Sequence, residues 1–197
     1  TVTTCYAAGA AFAMSQKISA LSLGDAALKK IGIRKGLPET EDQALVYLFM
    51  ASSSLSGDDY EKLLDDFIRQ FPANADGYLR RANYYAAKGK DDQTWYDKAV
   101  ADFNQALKVA QKKDDVYYNI GKLMYAYQLS KPEKTYKDWT YDTALQNVRQ
   151  AIAIDPLPIY IQMEGDILFA QQDYAGALAA YEKVNASNIA SPATFFS

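Results

Sequence analysis

A short pattern occurs four times along the chain, and each copy begins with a tyrosine. The four tyrosines are Tyr60, Tyr96, Tyr141 and Tyr174. Three residues later stands Leu63, Ala99, Ala144 or Ala177, and four residues after that stands Phe67, Phe103, Val148 or Tyr181. Upstream of each tyrosine a helix-like segment carries a small residue, which is Ala51, Ala82, Gly121 or Gly165. A pattern that recurs every few tens of residues predicts a stack built from one supersecondary unit.

Apolar residues in these copies have the spacing of helices rather than strands. In the last copy Leu178, Tyr181 and Val184 are three residues apart, and an alternation of period two is not sustained anywhere. Because the connections are short, neighbouring helices are expected to run antiparallel. We therefore expect five helical hairpins in a single α-solenoid domain over residues 1–197. Their approximate ranges are 4–37, 40–72, 75–112, 115–156 and 158–190.

Within the last four hairpins, the pattern also predicts where helices begin and end. The expected helices are 40–55, 59–71, 75–88, 96–110, 115–129, 141–154, 158–172 and 174–184. Thr40 and its successors resemble a capping box, and Asp173 is a natural N-cap between the last two helices. The small residue of each copy would let two helices cross closely, and the bulky residue of the next helix would fill the remaining space.

The last copy carries a specific resemblance. It combines Gly165, Asp173-Tyr174 at the turn, Ala177-Leu178 and Tyr181. This arrangement resembles the tetratricopeptide repeat (TPR), and three further copies extend the resemblance over roughly residues 40–190. The resemblance implies an all-α fold, a right-handed superhelical solenoid of antiparallel helix hairpins.

The resemblance also implies a place for a partner. In TPR proteins the first helix of each hairpin lines a concave groove that holds a peptide or a partner's segment. Carried over by register, the groove residues are Leu48, Phe49, Ser52, Leu79, Arg80, Asn83, Ala86, Tyr118, Asn119, Lys122, Tyr125, Gln162, Met163, Asp166 and Phe169. Their aromatic, amide and charged groups suit recognition of a peptide. We therefore expect a non-catalytic protein–protein interaction scaffold.

Two asparagines match part of the pattern of one subtype of the family. Chaperone-binding members hold a terminal carboxylate with two asparagines and several basic residues, and Asn83 and Asn119 fall at the matching asparagine positions. Leu79, Ile159 and Met163 stand where cations are expected. Without those cations, the hydration that the partner's terminal carboxylate loses on binding would be poorly compensated. This argues against the chaperone-binding subtype. Groove polarity or a helix-to-helix hydrogen bond is the alternative role of the two amides.

Two hairpins are longer than the repeat requires, and each insertion contains one of the two tryptophans of the chain, Trp95 or Trp139. Equivalent turns of stacked hairpins project from one edge, so the two indoles could form an aromatic patch that binds a carbohydrate or another small molecule. The alternative is that each indole folds back and shields the end of its own hairpin.

The composition argues against several other functions. The chain has no histidine and a single cysteine, Cys5, so the commonest general base and the ligands of a structural zinc site are missing. The adjacent carboxylate pairs 65–66, 91–92 and 114–115 are expected to be helix caps and solvated faces rather than acid/base pairs. We therefore expect no enzymatic activity, no cofactor and no metal.

Charge and hydropathy limit the partners and the compartment. The net charge is -3, which disfavours binding to nucleic acid. No stretch reaches the roughly 18 apolar residues needed for membrane insertion. A cytoplasmic and a periplasmic location both remain open, as does the oligomeric state.

The two ends of the sequence suggest a processed or cut part of a longer chain. The chain begins at Thr1 rather than at methionine, and Ser191-Pro192 has the residues that start a further helix. A structural or spacer module of a larger protein is therefore a second functional hypothesis.

Overall fold

A computed structural model describes residues 37–189, except residues 54, 56, 90, 91 and 135. Most of the expected first hairpin, Cys5 and the segment around Ser191 lie outside these residues. Within the described residues the fold contains eight helices and no strand. The all-α prediction is confirmed for this part of the chain.

The helices follow one another with short connections. They are α1 (Glu41–Ala51), α2 (Gly57–Gln70), α3 (Ala75–Lys88), α4 (Thr94–Val109), α5 (Asp114–Ser130), α6 (Tyr141–Ile154), α7 (Pro158–Ala170) and α8 (Tyr174–Ile189). Two of them, α3 and α6, match the expected ranges at both ends. The first helix is shorter than expected, since it ends at Ala51 rather than at residue 55. None of the described helices combines the length and the apolar character that crossing a bilayer requires.

Contacts between residues divide the chain into two compact units, one ending at Arg81 and the other beginning at Ala82. In the first unit α1 contacts α2. The buried apolar residues of the two helices include Ala44, Leu48, Leu64 and Phe67. Thr40 stands at the N-cap position of α1, but its side chain makes no capping hydrogen bond, so the capping-box prediction is wrong there. Acidic residues do occupy the first turn of α1, as expected.

The second unit contains a continuous core between α6, α7 and α8. Its buried members are Ala144, Leu145, Val148, Ile167, Leu168 and Ala177. Two repeat glycines account for the close packing of the hairpins. A Cβ at Gly121 would lie 2.8 Å from the carbonyl oxygen of Ala144, and a Cβ at Gly165 would lie 2.6 Å from Cε1 of Tyr181. The small residue of the repeat therefore permits contacts that any side chain would obstruct.

Specific caps join the helices of the second unit. The turn after α7 is a Schellman motif, because Gln172 N donates to the carbonyl of Phe169 and Asp173 N donates to the carbonyl of Leu168. Asp173 then caps α8 by accepting a hydrogen bond from Gly176 N at 3.0 Å. At the start of α6, Thr140 and Thr143 form a reciprocal capping box. The predicted cap at Asp173 is thus confirmed.

A buried carboxylate joins the ends of three helices. Asp114, only 6% exposed, lies 3.3 Å from Lys112 Nζ and accepts a hydrogen bond from the Tyr160 hydroxyl at 3.2 Å. Lys112 also contacts Asp155 at 2.5 Å. The starts of α5 and α7 and the end of α6 are therefore tied together. Asp114 differs from the expectation of a solvated face because the tyrosine and the lysine replace its lost hydration.

Candidate peptide-binding face

A cleft of about 610 Å³ opens in the second unit between α3, α4 and α5. Its lining consists of Asn83, Ala86, Ala87, Tyr96, Asn119, Lys122, Leu123, Ala126, Tyr127, Leu129, Ser130 and Lys131. Three of the expected groove residues with polar side chains, Asn83, Asn119 and Lys122, therefore meet in one cavity. The volume lies within the usual range of ligand pockets.

A pair of amides bridges α3 and α5 along the cleft. Asn83 Nδ2 donates to Asn119 Oδ1 at 3.1 Å. Asn119 Nδ2 in turn donates to the main-chain oxygen and to Oδ1 of Asp115, at 2.8 and 3.0 Å. These bonds hold Asn119 in one orientation. Because an amide offers two N–H donors and a carbonyl acceptor, the exposed Asn83 side chain retains capacity for a further partner.

Two lysines give the cleft a positive charge. Lys122 Nζ lies 6.0 Å from the centre of the Tyr118 ring, and Lys131 Nζ lies 5.5 Å from that of Tyr127. The residues that line the cleft include these two cations and no carboxylate. An ammonium near an aromatic face gains a modest cation–π attraction and keeps its charge available to a ligand.

The floor of the cleft is an aromatic cluster that the sequence did not predict. Tyr96 and Tyr127 line the cleft and also contact Trp139, with ring centres 5.3 and 5.4 Å away. Tyr127 is 1% exposed and its hydroxyl accepts a hydrogen bond from Gln93 Nε2 at 3.0 Å. The rigid floor therefore depends on residues of the α5–α6 connection, whose path no repeat pattern specifies.

A second group of expected residues lies where α5 faces α7. Tyr118 contacts Tyr160 with ring centres 4.8 Å apart, and Asp166 accepts a hydrogen bond from the Tyr181 hydroxyl at 2.8 Å. Burial and the nearby carboxylate of Asp166 raise the pKa of Tyr125. Burial, the hydrogen bond to Asp166 and the charge of Asp166 raise the pKa of Tyr181 to about 12. Both hydroxyls therefore remain protonated at ordinary pH, and that of Tyr181 donates to Asp166.

Four other expected groove residues are not among those that line the cleft. Gln162 is exposed on α7, and Phe169 is 58% exposed and packs on Tyr174 with ring centres 5.4 Å apart. In the first unit, Phe49 is partly buried on α1, and Arg80 forms a hydrogen bond with Tyr60.

The two tryptophans have different surroundings. Trp139 is 2% exposed and packs against Tyr96, Tyr127 and Tyr136. Trp95 is partly buried, with Lys88 Nζ and Lys98 Nζ at 4.4 and 4.0 Å from its ring centre. Because burial leaves Trp139 almost no accessible face, an aromatic patch at this edge would have to rely on Trp95.

The described residues contain no group of three histidine, cysteine, aspartate or glutamate side chains arranged to hold a metal ion. The chain matches no model of a known protein family, and it has no significant match among curated proteins. Its function is therefore inferred from the repeat pattern and from the geometry of the second unit.

Proposed function

We propose that the second unit binds a peptide or a segment of a partner protein along the face formed by α3, α5 and α7, without catalysing a reaction. The observation that carries this proposal is the cleft of about 610 Å³, in which an asparagine pair lies beside an apolar floor. Apolar and aromatic surface supplies affinity, and amides can pair with the main chain of an extended segment.

The finer architecture is part of the same proposal. The hairpins form a right-handed superhelical solenoid of TPR-like repeats, in which the first helices line the concave side. Its support is the recurrence of one packing rule, since both Gly121 and Gly165 lie against the bulky repeat residue of the following helix. Val148 occupies that position in one hairpin and Tyr181 in the next.

Selection of peptides by the immobilised 197-residue chain would test the proposal. Labelled peptides that are enriched would then be titrated by fluorescence anisotropy. We expect Asn83→Ala combined with Lys122→Ala to weaken binding by at least about tenfold, because both side chains line the cleft and contact its occupant.

A matched control removes polar side chains from the other helices of the same hairpins. Asn104 and Gln150 are exposed on α4 and α6, and Asn104→Ala combined with Gln150→Ala should change the affinity by less than about twofold. Helical circular dichroism should be the same in both double variants. Equal affinities of the two variants, or the absence of saturable binding by any selected peptide, would contradict the proposal.

The alternative hypotheses make different predictions. A structural spacer predicts no saturable binding in the selection. Carbohydrate binding predicts quenching of the Trp95 fluorescence, because Trp139 is buried and Trp95 retains accessible surface.

A further inference from the structure

The repeat glycine of α7 places a tyrosine hydroxyl on a carboxylate. Gly165 has no side chain, so the Tyr181 ring of α8 can lie against α7, where a Cβ would come within 2.6 Å of it. From this position the hydroxyl reaches the neighbouring residue of α7 and donates to Asp166 Oδ1 at 2.8 Å. In the preceding hairpin the apolar Val148 lies against Gly121, so this arrangement belongs to the last hairpin.

Aromatic side chains of three other helices pack against the core to which α7 contributes. Tyr125 of α5, Tyr141 of α6 and Tyr181 of α8 are partly buried and pack against one core. The ring centres of Tyr125 and Tyr141 lie 6.0 Å apart. Burial raises the pKa of Tyr118, Tyr125 and Tyr181, and the charge of Asp166 adds to the rise at each of the three phenols.

The charge of Asp166 is not neutralised by an ion pair within the described part of the chain, where no lysine or arginine nitrogen lies within 4.0 Å of it. Lys122, on the same face of α5 as Tyr118 and Tyr125, lies 6.0 Å from the Tyr118 ring centre. A carboxylate has several lone-pair positions, and the Tyr181 hydroxyl uses one of them on Oδ1 of Asp166. A partly buried carboxylate on a face that also carries tyrosine rings is complementary to a cation.

We infer that Asp166, together with the rings of Tyr125 and Tyr181, holds a cationic side chain, lysine or arginine, of the bound peptide. This inference rests on the proposed function, and it names the chemistry of the partner at the α7 end of the face. The ammonium or guanidinium group forms an ion pair with Asp166 and contacts the aromatic faces. The cleft between α3 and α5 holds the adjacent part of the same peptide.

The test combines the peptide selection with a neutral replacement of the cation. We expect the enriched peptides to share an arginine or lysine at a fixed distance from an apolar residue. Replacing that residue with citrulline or norleucine should weaken binding to the unchanged protein by about tenfold. The same replacement should cost less than about twofold with Asp166→Asn, which keeps an acceptor for Tyr181 but removes the charge.

A further variant separates charge from folding. Glu182 is an exposed carboxylate on α8, so Glu182→Gln removes an equal charge nearby and should retain the full preference for the cationic peptide. Enriched peptides without a cation would overturn the inference. An equal effect of citrulline or norleucine on the unchanged protein and on Asp166→Asn would also overturn it, and so would an equal loss of neutral and cationic peptides with Asp166→Asn.

The failure of this inference is distinguishable from failure of the proposed function. If selected peptides bind and depend on Asn83 and Lys122 but not on Asp166, the cleft binds peptides without a cation requirement. If no peptide binds saturably, the function itself is wrong.

Discussion

The hairpins α5–α6 and α7–α8 follow the same repeat pattern but use one position differently. Gly121 and Gly165 both allow a close approach, yet Gly121 faces Val148 and a main-chain oxygen, whereas Gly165 faces the ring of Tyr181. The side chain at the first contact is apolar. The second carries a hydroxyl to Asp166 on the proposed binding face. A packing rule can therefore fix the fold while one residue within it creates a site.

The connections of the two hairpins differ as well. Three residues, 171–173, complete the turn after α7 with a Schellman motif and an N-cap. The connection after α5 runs over residues 131–140 and buries Trp139 among tyrosines. Tyr136 and Lys137 of this connection also contact Asp97 of α4, at 2.7 and 2.6 Å. The longer connection thus provides its own core and packs against the tyrosines that form the floor of the cleft.

The largest expected effect on stability comes from removing the buried indole of the α5–α6 connection. Trp139→Ala should lower the free energy of unfolding by about 3–5 kcal/mol, because a large buried ring is replaced by a cavity. Trp95→Ala, at a partly buried position, should cost about 1 kcal/mol. Urea unfolding followed by circular dichroism would measure both values. Equal costs would show that the α5–α6 connection is no more important to stability than the exposed edge.

A methyl group at each repeat glycine would test the difference between the hairpins directly. Gly121→Ala should cost about 2 kcal/mol, because the new Cβ meets a main-chain oxygen that cannot move alone. Gly165→Ala should cost about 1 kcal/mol, since the Tyr181 ring can tilt and alanine favours a helix. Thermal and urea unfolding would rank the two variants. A larger cost at Gly165 would contradict the expectation that the main-chain oxygen at Gly121 yields less easily than the Tyr181 ring.

Each of the two connections contains a residue with positive φ, and glycine substitutions there should have the smaller effects on stability. Gln172 has φ 66° at the end of α7, and its side chain is exposed, so Gln172→Gly should stabilise the chain by about 0.5 kcal/mol. Lys137 has φ 53° but also forms the ion pair with Asp97. Lys137→Gly should therefore yield a smaller gain or none. Melting temperatures of the two variants would show whether relief of backbone strain exceeds loss of the contact.

The alkaline pH range is sensitive to the α7–α8 contact. The pKa of Tyr181 is raised from 10 to about 12, so the unfolded chain releases this proton first as the pH rises above 10. The free energy of unfolding contributed by this group is complete below pH 10 and is lost as the pH approaches 12. Tyr181→Phe should show a smaller fall in urea midpoint between pH 9 and about 11. Identical falls in both proteins would contradict the raised pKa of Tyr181.

Much of the helical framework could be predicted from the sequence because it depends on local signals. The start of α6 coincides with the capping box at Thr140, and its end precedes Asp155-Pro156. Helix α4 begins two residues earlier than expected. The Asp92 carboxylate accepts a hydrogen bond from Thr94 N at 2.9 Å and forms an Asx turn that the repeat pattern did not indicate.

The candidate site was less predictable because it depends on contacts between distant residues. Register placed Asn83, Asn119 and Lys122 on first helices, but their meeting in one cleft depends on how α3 and α5 pack. The floor formed by Tyr96 and Tyr127 requires the fold of the α5–α6 connection. Tyr181 was expected as a packing residue, and only its position against Gly165 reveals the bond to Asp166.

Chemical-shift mapping with a selected peptide tests the central claim most directly. The amides of α3, α5 and α7 in the second unit should shift on titration, with the largest changes near Asn83, Asn119 and Asp166. The amides of α4, α6 and α8 that lie away from these residues should change little. Shifts confined to α4, α6 and α8 would contradict the assignment of the binding face.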